Sequence, residues 1–186
     1  MFAAKEEARR GPHTLRTQRL ILRSFAQGDA AQITAYGGDW DVARMLGRMP
    51  YPYPEARAHE WIARHERMRA EDREYPFAVT RDGELIGAAG TMRHESGDIE
   101  IGYWIGKPWW NKGYATEAAR AVIGFAFGHY ARERLLAGHF AENHASGSVL
   151  TKLGFRYTGE EDRWCEARRQ KVHSLTMALQ RKDARL

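Results

Sequence analysis

The chain has 186 residues, 43% of them hydrophobic and 28% charged, the balance of one compact globular domain. Its longest apolar run, 121–128, is far too short to span a bilayer, the charged Met1–Pro12 segment lacks the apolar stretch of a signal peptide, and the single cysteine, Cys165, excludes an intrachain disulfide, so a cytoplasmic protein without a membrane partner is expected. The net charge is +5, and all of the excess lies in Arg163–Leu186, with seven Lys/Arg against two Asp/Glu, while residues 1–162 carry 22 of each sign; part of that segment reads as strand, so a solvated edge is favoured over a nucleic-acid face.

Residues 1–13 are expected to form a flexible tail. A first strand is predicted over Arg19–Phe25 and a short helix over Asp29–Tyr36. Gly37–Pro54 reads as a loop rich in Gly, Pro and aromatics. Pro54 suits the first turn of a helix that buries Ala58, Trp61, Ile62, His65 and Met68 at helical spacing. Tyr75–Thr80 and Leu85–Met92 make a hairpin around Asp82-Gly83. After a turn at Ser96–Asp98, Ile99–Ile105 is the strongest strand. Ala115–Tyr130 is the clearest helix: Ala115, Ala118, Ala119, Val122, Ile123, Ala126, Phe127 and Tyr130 form one apolar stripe. Arg134–Ala141 reads as a strand, and Ala145–Leu153 as a short helix closed by Gly154, with Phe155 folding back on Leu150. Phe155–Thr158 and Val172–Leu179 are the last predicted strands, and 181–186 a basic tail. The order indicates one mixed α/β (α+β) domain over 14–180.

The informative segment lies between the best strand and the best helix: Trp110-Asn111-Lys112-Gly113-Tyr114-Ala115-Thr116. A helix start leaves backbone N–H groups unpaired at the positive end of the dipole. Gly113 and Ala115 let an anion approach that backbone, and Lys112 adds a cation, which together suit a pyrophosphate. By itself this is also the pattern of an ordinary turn.

Other segments accompany it: Glu100-Ile101-Gly102-Tyr103-Trp104-Ile105 before it, Asn143-His144-Ala145-Ser146 and Leu153-Gly154-Phe155 after it. The set resembles the GNAT superfamily of N-acetyltransferases, and more narrowly its RimJ/RimL-type branch, over roughly Thr14–Leu179. The family cradle is Gln/Arg-x-x-Gly-x-Gly/Ala. Gly113 and Ala115 match it, whereas Trp110 stands in place of Gln or Arg and Asn111 where the branch often has glycine.

The resemblance implies a mostly antiparallel sheet flanked by helices, splayed between 99–105 and 134–141. It implies acetyl-CoA as co-substrate, with its pyrophosphate on Asn111, Lys112, Gly113, Tyr114, Ala115 and Thr116 and its pantetheine arm along the backbone of Trp104 and Ile105. Asn143 would bond the pantetheine amide, and Ser146 would sit near the thioester sulfur; either residue equally suits an ordinary helix start. The acceptor pocket is expected in the 37–54 loop, where Asp39, with Asp41, flanks Trp40 and could hold a cationic amine, and where Tyr51 and Tyr53 could wall the site.

The chemistry needs a neutral amine, a donor for the oxyanion and a proton for the leaving thiolate. Glu100 is the candidate base, a carboxylate in an apolar strand; alternation puts it with Gly102 and Trp104 on one face, which is either the site or solvent. Ser146 is the candidate partner of the thiolate. The histidines show no zinc spacing, so no metal is expected. The expected acceptor is a peptide or protein N-terminal α-amine, with a small amine (polyamine, amino acid or aminoglycoside) as the alternative. A non-catalytic CoA-binding module and a basic nucleic-acid binder are the rivals, and a homodimer stays open.

Overall fold

A computed structural model describes residues 13–186; all of the predicted N-terminal tail except His13 lies outside the described residues. Two short strands come first, β1 (Leu15–Arg16) and β2 (Ile21–Arg23). A composite helix, α1, runs over 27–37 as a 3-10 turn (Gln27–Asp29), an α turn (Ala30–Gln32) and a π turn (Ile33–Gly37). Asp29 anchors its start by accepting from Ala26 N and from both terminal nitrogens of Arg23 at 2.7 and 2.8 Å. Burial alone would raise the Asp29 carboxyl, but these donors hold it below the usual carboxylate range.

The remaining elements are α2 (Trp40–Ala43), α3 (Glu55–Ala63), α4 (His65–Ala70), β3 (Glu74–Arg81), β4 (Glu84–Arg93) and β5 (Ile99–Ile105). They are followed by α5 (Tyr114–Tyr130), β6 (Arg134–Phe140), α6 (His144–Lys152), β7 (Arg156–Cys165) and β8 (Gln170–Gln180). The β3–β4 hairpin turns on Asp82 and Gly83, with φ of 50° and 86°. That pair of left-handed residues matches the twist of the strands it joins.

The strands form one sheet in the order β1-β2-β3-β4-β5-β6-β8-β7. Neighbours are antiparallel except β5 and β6, which run parallel and meet at a single register, Glu100 opposite Leu136. The sheet therefore splays beyond Glu100.

What keeps the two halves together is α5. Its stripe from Ala118 to Tyr130 is buried and packs in one core with Val79, Ile86, Ile99 and Ile101 on one side of the splay. Leu135, Ala137, Met177 and Leu179 complete that core from the other side. On the opposite sheet face, Ala30, Ile33, Ala58 and Ile62 cover Ala78 and Leu85, with Trp104 packed alongside. A third cluster of Ala43, Phe140, Cys165 and Ala167 fastens α2 to the far half-sheet.

Several predicted segments differ. The last strands are longer than 155–158 and 172–179, because β7 continues through Gly159-Glu160-Glu161-Asp162. That stretch is exposed on the sheet edge and has no apolar alternation; only its ladder with β8 makes it strand. The predicted loop 37–54 contains α2, started by Asp39, whose carboxylate accepts from Asp41 N at 2.8 Å. Residues 181–186 pack back on the domain: Arg181 Nη2 donates to Phe127 O at 2.7 Å and Arg185 N to Leu153 O at 3.3 Å.

Candidate active site

The phase of the β4–β5 ladder decides which β5 groups are free. Gly106 N donates to Ile86 O and His94 N to Asp98 O, both at 2.9 Å. Alternation then turns the backbones of Glu100, Gly102 and Trp104 towards β4, and those of Ile101, Tyr103 and Ile105 towards β6. β6 meets that edge only around Glu100–Leu136. Past it, Tyr103 and Ile105 present strand edge to the open V. Ile105 O accepts from the Trp110 indole Nε1 at 2.6 Å, which gives this departure from the family cradle a place in the site.

The cradle closes the V's mouth. Asn111 and Gly113 are both left-handed, with φ of 59° and 80°; asparagine and glycine are the residues that tolerate this. Gly113 is the N-cap of α5, and no side chain caps the helix. The first-turn amides at Tyr114, Ala115 and Thr116 are thus the natural anion donors. A Cβ on Gly113 would lie 3.3 Å from Arg19 Nη2. Arg19 itself bonds Lys112 O at 3.0 Å and Glu117 at 2.7 Å and lies over the Tyr114 ring. Lys112 is turned back, its Nζ on Pro108 O at 2.9 Å. Tyr114 is buried, and its hydroxyl accepts from Arg81. Arg19, ion-paired to Glu117, is the guanidinium set against the backbone of this segment, and no local sequence signal ties it to a loop more than 90 residues away.

On the α5 face of the V, α6 starts at Asn143, whose Oδ1 accepts from Ser146 N at 3.1 Å. Ser146 Oγ lies 3.0 Å from the Tyr103 hydroxyl. This pair spans the splay from α6 to β5. Burial pushes the Tyr103 phenol up to about 12, and the Ser146 bond offsets that only in part. A neutral hydroxyl pair able to donate to an anion results. Tyr103 was also missed, because alternation placed it on the core face.

On the other face, Glu100 is largely buried, with its side chain 12% exposed, and both oxygens are engaged. Oε1 accepts from Arg163 Nη1 at 2.6 Å, and Oε2 lies 2.8 Å from His94 Nε2. Burial would lower the Arg163 guanidinium, but Glu100 and then Glu161 raise it above its ordinary value. Arg163 reaches from β7 across β8 and β6, passing Gly138, where a Cβ would sit 3.3 Å from its Cζ. A concavity of about 510 Å³ opens here, lined by His94, Glu100, Leu136, Glu161, Arg163 and Thr176 among others. The Cβ direction of Gly102 points into open space.

The 37–54 segment contributes a lip. Gly37 fits against Trp104, where a Cβ would come within 3.4 Å of the indole. Trp40 and Tyr51 are 43% and 44% exposed and meet edge-on at 5.0 Å. Asp39 is occupied as a helix cap, and Asp41 is paired with Lys107 at 2.7 Å. Tyr53 is buried in the core beneath. The structure thus sets Glu100, Trp104 and Ile105 on the strand next to the splay, joins Ser146 and Asn143 to it through Tyr103, and leaves Trp40 and Tyr51 as an exposed pair on the 37–54 segment. Among the described residues no group of His, Cys, Asp or Glu is arranged to hold a metal, and no helix is long and apolar enough to cross a membrane.

The splayed sheet and the uncapped helix start are the arrangement that the sequence resemblance implies, and the comparisons with known proteins show the family. Residues 19–156 match the acetyltransferase (GNAT) domain model; the chain belongs to this family and is an acetyl-transferring enzyme. It is 30% identical to the uncharacterized N-acetyltransferase p20 of Bacillus licheniformis over 149 residues, 78% of this chain and 84% of that protein. It is 33% identical to the [ribosomal protein uS5]-alanine N-acetyltransferase of Escherichia coli (strain K12) over 79 residues, 41% of each chain. Its fold is that of Mycobacterium smegmatis RimJ in complex with CoA-disulfide, with a TM-score of 0.79 at 21% identity, covering 94% of this chain and 89% of that one.

Proposed function

We propose that the enzyme binds acetyl-CoA with the pyrophosphate at the start of α5 and the pantetheine arm along β5, and acetylates a peptide or protein α-amine entering from the Glu100 face. The observation that carries this is the coincidence at one V of an uncapped helix start, an open strand edge and a carboxylate on the opposite face. The Tyr103–Ile105 edge supplies N–H groups for the pantetheine and the developing oxyanion. Ser146 and Tyr103 supply hydroxyls for the leaving thiolate.

The α-amine reading rests on what the base can do. A lysine amine has a reference pKa of about 10.4 and an α-amine one of about 7.7–8.0, so the lysine costs about 3.5 kcal/mol more to deprotonate at neutral pH. Glu100 holds two partners already, which suits the less demanding acceptor. The Escherichia coli relative named above acts on a ribosomal-protein alanine. The test compares peptides with a free N-terminus, with a blocked N-terminus plus one lysine, and with neither, alongside spermidine. Acetylation of the free N-terminus is expected. Labelling of the lysine peptide instead overturns the assignment, and acetylation of spermidine alone moves the acceptor to a small amine.

A further inference from the structure

We propose that His94 is a positioning and proton-accepting partner of Glu100, carrying the acceptor's proton from the buried carboxylate to solvent. This deepens the reading above and rests on Glu100 being the base. Three observations point to it. Glu100 is 12% exposed, so a proton collected there needs a way out. Its Oε1 is fixed by Arg163, which leaves Oε2 as the oxygen facing another proton carrier. That carrier is His94 Nε2 at 2.8 Å, on a side chain 36% exposed at the rim of the concavity. Imidazole is the one side chain that ordinarily changes charge between pH 5 and 8.

The step balances as follows. The acceptor ammonium gives one proton to Glu100 Oε2. The proton passes to Nε2 of neutral His94 in its Nδ1–H tautomer, forming an imidazolium that returns a proton to water and regains that tautomer by exchange with solvent. The amine nitrogen's lone pair forms the C–N bond to the thioester carbon, the C–S bond breaks, and the second nitrogen proton ends on the coenzyme sulfur. The charged groups around His94 are Glu100, Glu161 and Arg163 in the concavity, and Asp98, whose carboxylate faces His94 while bonded to Arg134. Arg163 fixes Oε1 of Glu100 and so holds Oε2 towards His94.

Two experiments decide it. In the full chain, the ring nitrogen NMR resonances of His94 should shift in Glu100→Gln, because the carboxylate is the partner of Nε2. Unchanged resonances overturn the pairing. Activity is then measured with whichever of an alanyl peptide, a blocked lysyl peptide or spermidine the wild type acetylates fastest. His94→Ala is expected to lower kcat by about tenfold or more, with KM for acetyl-CoA unchanged, and added imidazole should restore turnover. A folded His94→Ala with wild-type kcat and pH profile overturns the proposal. So does a loss that imidazole and buffer concentration leave untouched in both His94→Ala and His94→Gln. Wild-type activity in Glu100→Gln instead removes the base reading itself.

Discussion

Gly113 and Ser146 separate binding from chemistry at the scale of single residues. Gly113 is left-handed at the head of an uncapped helix and has Arg19 close by. Gly113→Glu puts bulk and negative charge where phosphate is expected, so calorimetry should show CoA affinity lower by about tenfold or more, roughly 1.4 kcal/mol. Ser146→Ala in the same assay should keep CoA affinity, because the side chain meets Tyr103 rather than the cradle, and lower kcat by at most about 10²-fold. The helix start at the proposed cradle was legible in the sequence because its determinants are contiguous: small residues and the head of an apolar-striped helix within six positions. Arg163 was not legible. It meets Glu100 from 63 residues away, packed closely over Gly138.

Among the elements, α5 was read almost to the residue, since its buried stripe repeats at the helical period. The α3–α4 segment was read as one helix but breaks at Arg64, and the break carries a consequence. His65, just after it, is buried between Trp61 and Phe25, with no hydrogen-bond partner for either ring nitrogen. Burial, with Arg69 and Arg64 nearby, pushes its pKa down to about 3 from 6.5. The folded protein therefore refuses a proton that the unfolded chain accepts below pH 6.5. Stability from this group falls as pH drops from 6.5 towards 3, by about 2 kcal/mol at pH 5. Asp29 and Glu117, whose carboxyls are held low, lose their contributions only below the ordinary carboxylate range. Urea unfolding between pH 7 and 5 should show this slope, and His65→Leu should flatten it.

For the whole molecule, part of the basic excess near the C-terminus is neutralised by ion pairs. Arg163 pairs with Glu100 and Glu161, Arg168 with Glu142, and Arg181 with Glu133 and the end of α5. The fold class was legible from the order of elements. The splay was not legible from periodicity, because it is defined by hydrogen bonds that β5 and β6 do not exchange. The chain itself crosses between the halves at the exposed 131–133. Two leaves of sheet thus share one ladder contact and one helix as their spine. A ligand strand laid in the V would supply the missing ladder, so CoA should slow amide hydrogen exchange at Tyr103 and Ile105 more than elsewhere in β5, and pantetheine alone should do so in part. Equal exchange with and without CoA would remove the ligand from the V. Those two amides are then an occupancy gauge, readable before any acceptor is in hand.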